Sequence, residues 1–383
     1  MDKLNRLLSQ STLSSGRALI GVIDGGQGTH LSTLGVDLTS SLFGTSLLAS
    51  SNPDDFSTVK RLHRDYFSAG AQIVGTLTYQ LADLACEKGG WSSEEIQRKR
   101  ADMWDRGIRG AGEAREEWIK EQGGKLEERP LVSLTLGPYG ACLANGAEYT
   151  GEYSSFSYFD LVRFHKDRLV AAAATPTFAS TVDLIAFETI PRIDEADAIL
   201  TALEELLQED QGGRLTESAL PPVYISFVFP PETEGRFLPY PTTEDRTGLK
   251  KIVELIQKRK RGLKWPIAGV GINCTKTNIL KSTLEYFAQE ALQEPRQLKE
   301  EKLHLFMYPD GGLVWDAVNR CWLDPASGKQ TNEPPSPATW ARDLYSLAEV
   351  AAVSGAWAGI WLGGCCMTGP REIEELASLV ARS

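Results

Sequence analysis

Cysteine, histidine and methionine are all scarce in this chain, with six, four and four copies in 383 residues. Six cysteines over such a length are too few for a disulfide scaffold, and none are spaced C-x-x-C as in sequence-local zinc sites. Positive charge is in deficit, with 40 Lys and Arg against 51 Asp and Glu and a formal charge of −11. That balance argues against nucleic acid or an anionic membrane as the main partner. No apolar run reaches about 18 residues, so no bilayer-spanning helix is expected. Met1-Asp2-Lys3-Leu4-Asn5-Arg6 lacks the apolar core of a secretory leader, and a reducing, cytoplasmic setting is the expectation. Internal repeats, low-complexity tracts and linkers are missing as well, which favours one domain over residues 1–383.

What is present is an alternation. Short apolar runs read as strands at Ala18 to Ile23, Ala71 to Thr76, Leu131 to Thr135, Val182 to Phe187, Val223 to Val228, Ile267 to Ile272, His304 to Tyr308 and Gly359 to Leu362. Helical patterns fall between them, the longest at Ser93 to Glu121. Strands alternating with helices predict a parallel sheet, and eight such units suit a closed (β/α)8 (TIM) barrel with loop insertions. Candidate insertions are Gln208 to Leu220, Pro230 to Thr243 and Asp324 to Pro337. An open doubly wound sheet is the alternative, but Asp24-Gly25-Gly26-Gln27-Gly28 after the first strand does not fit its G-x-G-x-x-G fingerprint.

Barrel enzymes keep their active sites at the carboxyl ends of the strands. Asp24, Thr76 to Gln80, Glu188, Cys274 and the adjacent Cys365-Cys366 all fall there. A catalytic zinc takes three protein ligands and keeps one position open, and Cys274, Cys365 and Cys366 match that demand. Three thiolates around Zn²⁺ leave a net charge of about −1, which disfavours making hydroxide. The set suits a substrate thiol, whose displaced proton leaves an electron-rich sulfur able to attack carbon. The bland alternative is three buried thiols acting as small hydrophobes, or a closed structural site. Asp24 and Glu188 suit a substrate ammonium, and the N–H groups of Gly25-Gly26 a carboxylate; alone, each acid could equally be a helix cap or a solvated loop residue. Tyr79 and Gln80 are weaker substrate contacts. His30 reads as a loop or helix-start residue rather than a fourth ligand, His63, His165 and His304 as structural, and Cys86, Cys142 and Cys321 as core or surface thiols.

Stretches along nearly the whole chain resemble the zinc-dependent homocysteine S-methyltransferases. They include Asp24-Gly25-Gly26-Gln27-Gly28-Thr29, Thr78-Tyr79-Gln80, Gly137-Pro138-Tyr139-Gly140-Ala141, Glu148-Tyr149-Thr150-Gly151-Glu152-Tyr153, Phe187-Glu188-Thr189-Ile190-Pro191, Gly271-Ile272-Asn273-Cys274 and Gly363-Gly364-Cys365-Cys366. The resemblance implies a (β/α)8 barrel, one Zn²⁺ per chain on Cys274, Cys365 and Cys366, and Asp24 and Glu188 holding the homocysteine amino group. It implies methyl transfer from a sulfonium donor, S-methylmethionine or S-adenosylmethionine, giving methionine, without methylcobalamin. His30 and Leu77 depart from the family pattern and put the donor pocket in question. A non-catalytic zinc or thiol store, and a methyltransferase using another thiol or a donor such as betaine, remain alternatives. Neither the preferred donor nor the oligomeric state is readable here.

Overall fold

The computed structural model describes residues 2–9, 17–124, 129–153, 156–209, 220–241, 247–292, 302–316, 321–323, 329–331 and 335–382. Eight parallel strands form one sheet: β1 (Leu19–Val22), β2 (Ile73–Gly75), β3 (Leu131–Leu136), β4 (Leu184–Ile190), β5 (Val223–Phe227), β6 (Ile267–Asn273), β7 (His304–Tyr308) and β10 (Gly359–Leu362). Their order is β1-β10-β7-β6-β5-β4-β3-β2, and a parallel bridge between Ile23 and Ile73 joins the two ends. The backbone bonds Gln72 N–H to Val22 O (2.8 Å) and Asp24 N–H to Ile73 O (3.0 Å) complete that seam. The expected (β/α)8 barrel is what forms.

The burial pattern explains why these segments pair. All seven residues of β4 except Glu188, and all of β3, β5, β6, β7 and β10, are buried, the signature of a sheet covered on both faces. Inside, Ile23, Ile73, Leu131, Leu184, Ala186, Tyr224, Ala268, Phe306, Tyr308 and Trp361 fill the barrel. Tyr224 stacks on Phe306 with ring centroids 3.8 Å apart, and Phe306 lies against Trp361. Outside, helices such as Pro53–Ser68, with Asn52 capping its first turn, lay Val59, Leu62, Tyr66 and Phe67 on the strands.

Three local features depart from the pattern. The fourth strand runs past Glu188 to Ile190, with a register irregularity against β5 between Phe187 and Ile190. Thr189 sits in the left-handed region at φ 61°, so the strand continues through a kink instead of stopping. A two-stranded antiparallel hairpin, β8 (Val314–Asp316) and β9 (Cys321–Leu323), interrupts the route from β7 to the helix Pro337–Val353. A short helix, Gln27–Thr33, follows the first glycine turn. Most of the candidate insertion Gln208 to Leu220, and parts of Pro230 to Thr243 and Asp324 to Pro337, lie outside the described residues. Among the described residues no helix is long and apolar enough to cross a membrane.

Candidate metal centre and substrate pocket

Three sulfurs meet at the carboxyl end of the barrel. The Sγ atoms of Cys274, Cys365 and Cys366 lie within 4.8 Å of one another, the one such group of potential ligands among the described residues. Cys274 and Cys365 are paired as a disulfide across 91 residues of sequence with Cα atoms 5.5 Å apart, while Cys366 is free and exposed. The adjacent pair Cys365-Cys366 is thus not the one that bridges. Reduced, the same three thiolates match the soft, three-ligand donor set that zinc accepts.

The backbone holds these cysteines from several sides. Cys274 follows β6 at φ 47°, a conformation costly for a side-chain-bearing residue, and Met367 beyond the elbow has φ 62°. Cys274 N–H donates to Tyr308 O, Cys365 N–H to Pro309 O (2.8 Å), Gly364 N–H to Asp24 O (3.0 Å) and Gly311 N–H to Cys366 O (2.7 Å). The first turn and the last also interlock. Gly26 N–H donates to Thr368 O (3.0 Å), and a Cβ at Gly26 would fall 2.1 Å from Cys365 O, so only glycine fits.

Two carboxyls sit beside the sulfurs without a cation. Asp24 accepts from Gly75 N–H (2.9 Å) and contacts Gln27 Nε2, which is itself anchored on Gly75 O. Loss of solvent raises its carboxyl to about 7. Glu188 accepts from the Tyr224 hydroxyl (3.4 Å), and desolvation together with the nearby Asp24 charge pushes it up to about 8. Neither acid has an ion-pair partner among the described residues, although Lys276 and Asp310 pair nearby at 2.6 Å. A cation placed between two such acids would favour the ionised form of both.

The remaining expected contacts divide. Gly25 N–H has no acceptor among the described residues, whereas the Gly26 N–H is taken by Thr368. The Tyr79 hydroxyl faces that of Thr189, and Thr189 Oγ1 lies 3.8 Å from Cys274 Sγ. Gln80 turns away, its amide donating to Ala141 O at 3.2 Å. His30 is no ligand: its ring nitrogens meet Asp65 (2.8 Å) and Thr33 (3.0 Å). Leu77 packs in the outer core. His165 bonds Glu195 and His304 meets Trp361; Cys86 and Cys142 are buried free thiols.

Sequence reading gave no role to Asn273, which proves central. Its Oδ1 accepts Thr189 N–H (2.9 Å) and its Nδ2 donates to Thr189 Oγ1 (2.7 Å), clamping the kink after Glu188 to the residue before Cys274. The available signal was an amide closing an otherwise apolar strand, where a buried polar group demands partners.

Fold and site together define a thiol-lined (β/α)8 barrel, and comparison with known proteins places it. The family model described as Homocysteine S-methyltransferase matches residues 21–380. The chain belongs to that family. It is 31% identical to homocysteine S-methyltransferase 1 of Arabidopsis thaliana, over 93% of this chain and 92% of that one. Homocysteine S-methyltransferase 1 of Zea mays is 30% identical, with 94% of each covered. The Escherichia coli homocysteine methyltransferase MmuM in its oxidized form superposes with TM-score 0.66 at 26% identity, covering 99% of both chains. Its metallated form, at 24% identity and TM-score 0.67, supports the fold.

Proposed function

We propose that this protein is an enzyme that transfers a methyl group from a sulfonium donor to the thiol of L-homocysteine, giving methionine, with one zinc ion held by Cys274, Cys365 and Cys366. The observation that carries this reading is the three-cysteine cluster set beside an acid pair lacking a cation. Family membership supports the reaction, and the donor set supports the metal. A bound zinc ion supplies the positive charge that lets a thiol persist as an anion at neutral pH.

The chain's own residues bind and orient. Asp24 and Glu188 receive the amino group of homocysteine, and a cation there restores both carboxyls to the ionised form that burial disfavours. Gly25 N–H receives the carboxylate. With both ends of the amino acid fixed, its side-chain sulfur is directed to the cysteines. Alignment of two bound reactants is worth about 7–11 kcal/mol of barrier, so positioning accounts for much of the rate. Neither acid needs to act as a base.

Reduced, zinc-loaded protein should form methionine from homocysteine with S-methylmethionine or S-adenosylmethionine. Stripping the metal with a chelator should abolish turnover, and readdition of zinc should restore it. Full turnover by metal-free protein would sink the reading.

A further inference from the structure

A third acid at the barrel mouth is left unused by the reading above. Glu148 lies in a single helical turn, Ala147–Thr150, bracketed by Gly146 at φ 80° and Gly151 at φ 68°. Those left-handed glycines let the chain enter and leave the turn abruptly. The turn is seated closely: a Cβ on Gly140 would come within 2.7 Å of the Glu148 backbone nitrogen. Its far end is braced by Arg192, whose guanidinium donates to Gly151 O (2.8 Å) and lies 3.8 Å from the centroid of the Tyr240 ring.

This bracing presents Glu148 and Tyr149 to the cysteines. Tyr149 Oη lies 3.9 Å from Cys366 Sγ. Tyr79 and Tyr149 both feel the charges of Glu148 and Cys366, and Tyr79 that of Glu188 too. Glu148 Oε2 is buried and has no hydrogen-bond partner. A buried carboxylate oxygen without a partner is costly, and next in sequence to Tyr149, whose hydroxyl reaches Cys366, it matches one kind of guest: a soft organic cation.

Resting on the methyl-transfer reading, we infer that Glu148, with the rings of Tyr79 and Tyr149, forms the subsite for the sulfonium centre of the methyl donor. The thiolate sulfur of homocysteine uses a lone pair to bond the methyl carbon. The carbon–sulfonium bond breaks with its electron pair kept by the donor sulfur, and the thiol proton has already left to solvent. The donor becomes a neutral thioether, so attraction to Glu148 disappears as the reaction proceeds. Glu148 therefore favours the charged donor over its product and should act on donor binding more than on kcat. Tyr240, which packs on Gly151, comes from the candidate insertion Pro230 to Thr243.

The test is Glu148→Gln in the reduced, zinc-loaded enzyme, with KM measured for S-methylmethionine and S-adenosylmethionine at saturating homocysteine. Donor KM should rise about tenfold, equivalent to about 1.4 kcal/mol. The kcat, homocysteine KM and zinc content should stay near wild type. S-adenosylhomocysteine, a neutral thioether, should lose far less affinity than S-adenosylmethionine, a contrast a merely structural role would not produce. Glu148→Asp keeps the charge and should recover part of the loss, which covers the case in which the Gln variant folds poorly. Unchanged donor KM, or equal losses for charged and neutral ligands, would overturn the subsite. Absence of methionine from the wild type with either donor would instead overturn the underlying reaction, and the subsite with it.

Discussion

Asp183 at one end of the barrel and Asp24 and Glu188 at the other are buried acids treated in opposite ways. At the amino end, Asp183 just before β4 is fully matched: Arg115 Nη1 lies 2.6 Å from Oδ2, Lys3 Nζ 2.5 Å from Oδ1, and Val132 N–H donates at 3.0 Å. At the carboxyl end, Asp24 and Glu188 have only hydrogen-bond donors and no cation, and Glu148 keeps one oxygen without any partner. One end settles its charges within the chain and so holds the fold together. The other matches Asp310 with Lys276 but leaves Asp24 and Glu188 without a cation, as a site for a cationic ligand would. Unmatched acids in a pocket cost stability and are the mark of a binding site, not of a scaffold.

The largest effect expected of a single substitution comes from breaking the matched end. Asp183→Asn leaves buried Arg115 with only the exposed Glu116, 3.5 Å from its Nε, as counter-charge, and removing the close partner of a buried pair costs about 3–5 kcal/mol. Urea unfolding should show that loss, while kcat/KM per folded molecule stays near wild type. A smaller stability loss with damaged catalysis would erase the distinction between the ends. At the open end, Glu188→Gln should leave folding intact and raise homocysteine KM. A charge-assisted hydrogen bond is worth about 1.5–3 kcal/mol, which corresponds to about 10–150-fold. Equal homocysteine KM in the variant would remove Glu188 from the pocket.

The open end also carries a pH dependence, and its sign is distinctive. Asp24 stands at about 7 against an ordinary 3.8, and Glu188 at about 8 against 4.5. Between about pH 4 and 8 the folded, ligand-free protein therefore binds protons that the unfolded chain has released. Stability contributed by these groups is full below pH 4 and is lost as pH rises to 8. Thermal unfolding of the ligand-free protein should accordingly show Tm declining across that window, less steeply in Asp24→Asn. The variant should be the more stable of the two at pH 8, and homocysteine should narrow the difference by favouring ionised acids. A Tm that climbs with pH from 5 to 8 would contradict the assignment.

How much of this was legible beforehand follows from the range of the interactions involved. The strands β7 and β10 were readable to the residue, because each is a short apolar run closed by a proline or glycine step. The cysteines and both acids were readable because they sit where such runs end. The hairpin β8–β9 escaped because three-residue strands carry too little periodicity to register. The helix Gln27–Thr33 escaped because it has no side-chain cap and follows a glycine turn. The clamp of Asn273 on Thr189 spans 84 residues and depends on the relative register of β4 and β6. Gly26 looked like a second carboxylate donor in sequence, since only the folded chain shows Thr368 occupying its N–H.

The interlock of the first turn with the last elbow has a consequence for biogenesis. Asp24 belongs to the opening βα unit, Cys274 to the sixth, and Cys365 and Cys366 to the final one. A ribosome-bound nascent chain therefore carries Asp24 long before it possesses all three cysteines. In the proposed zinc site the ligand set is complete only once the seam between the first turn and the last elbow has closed.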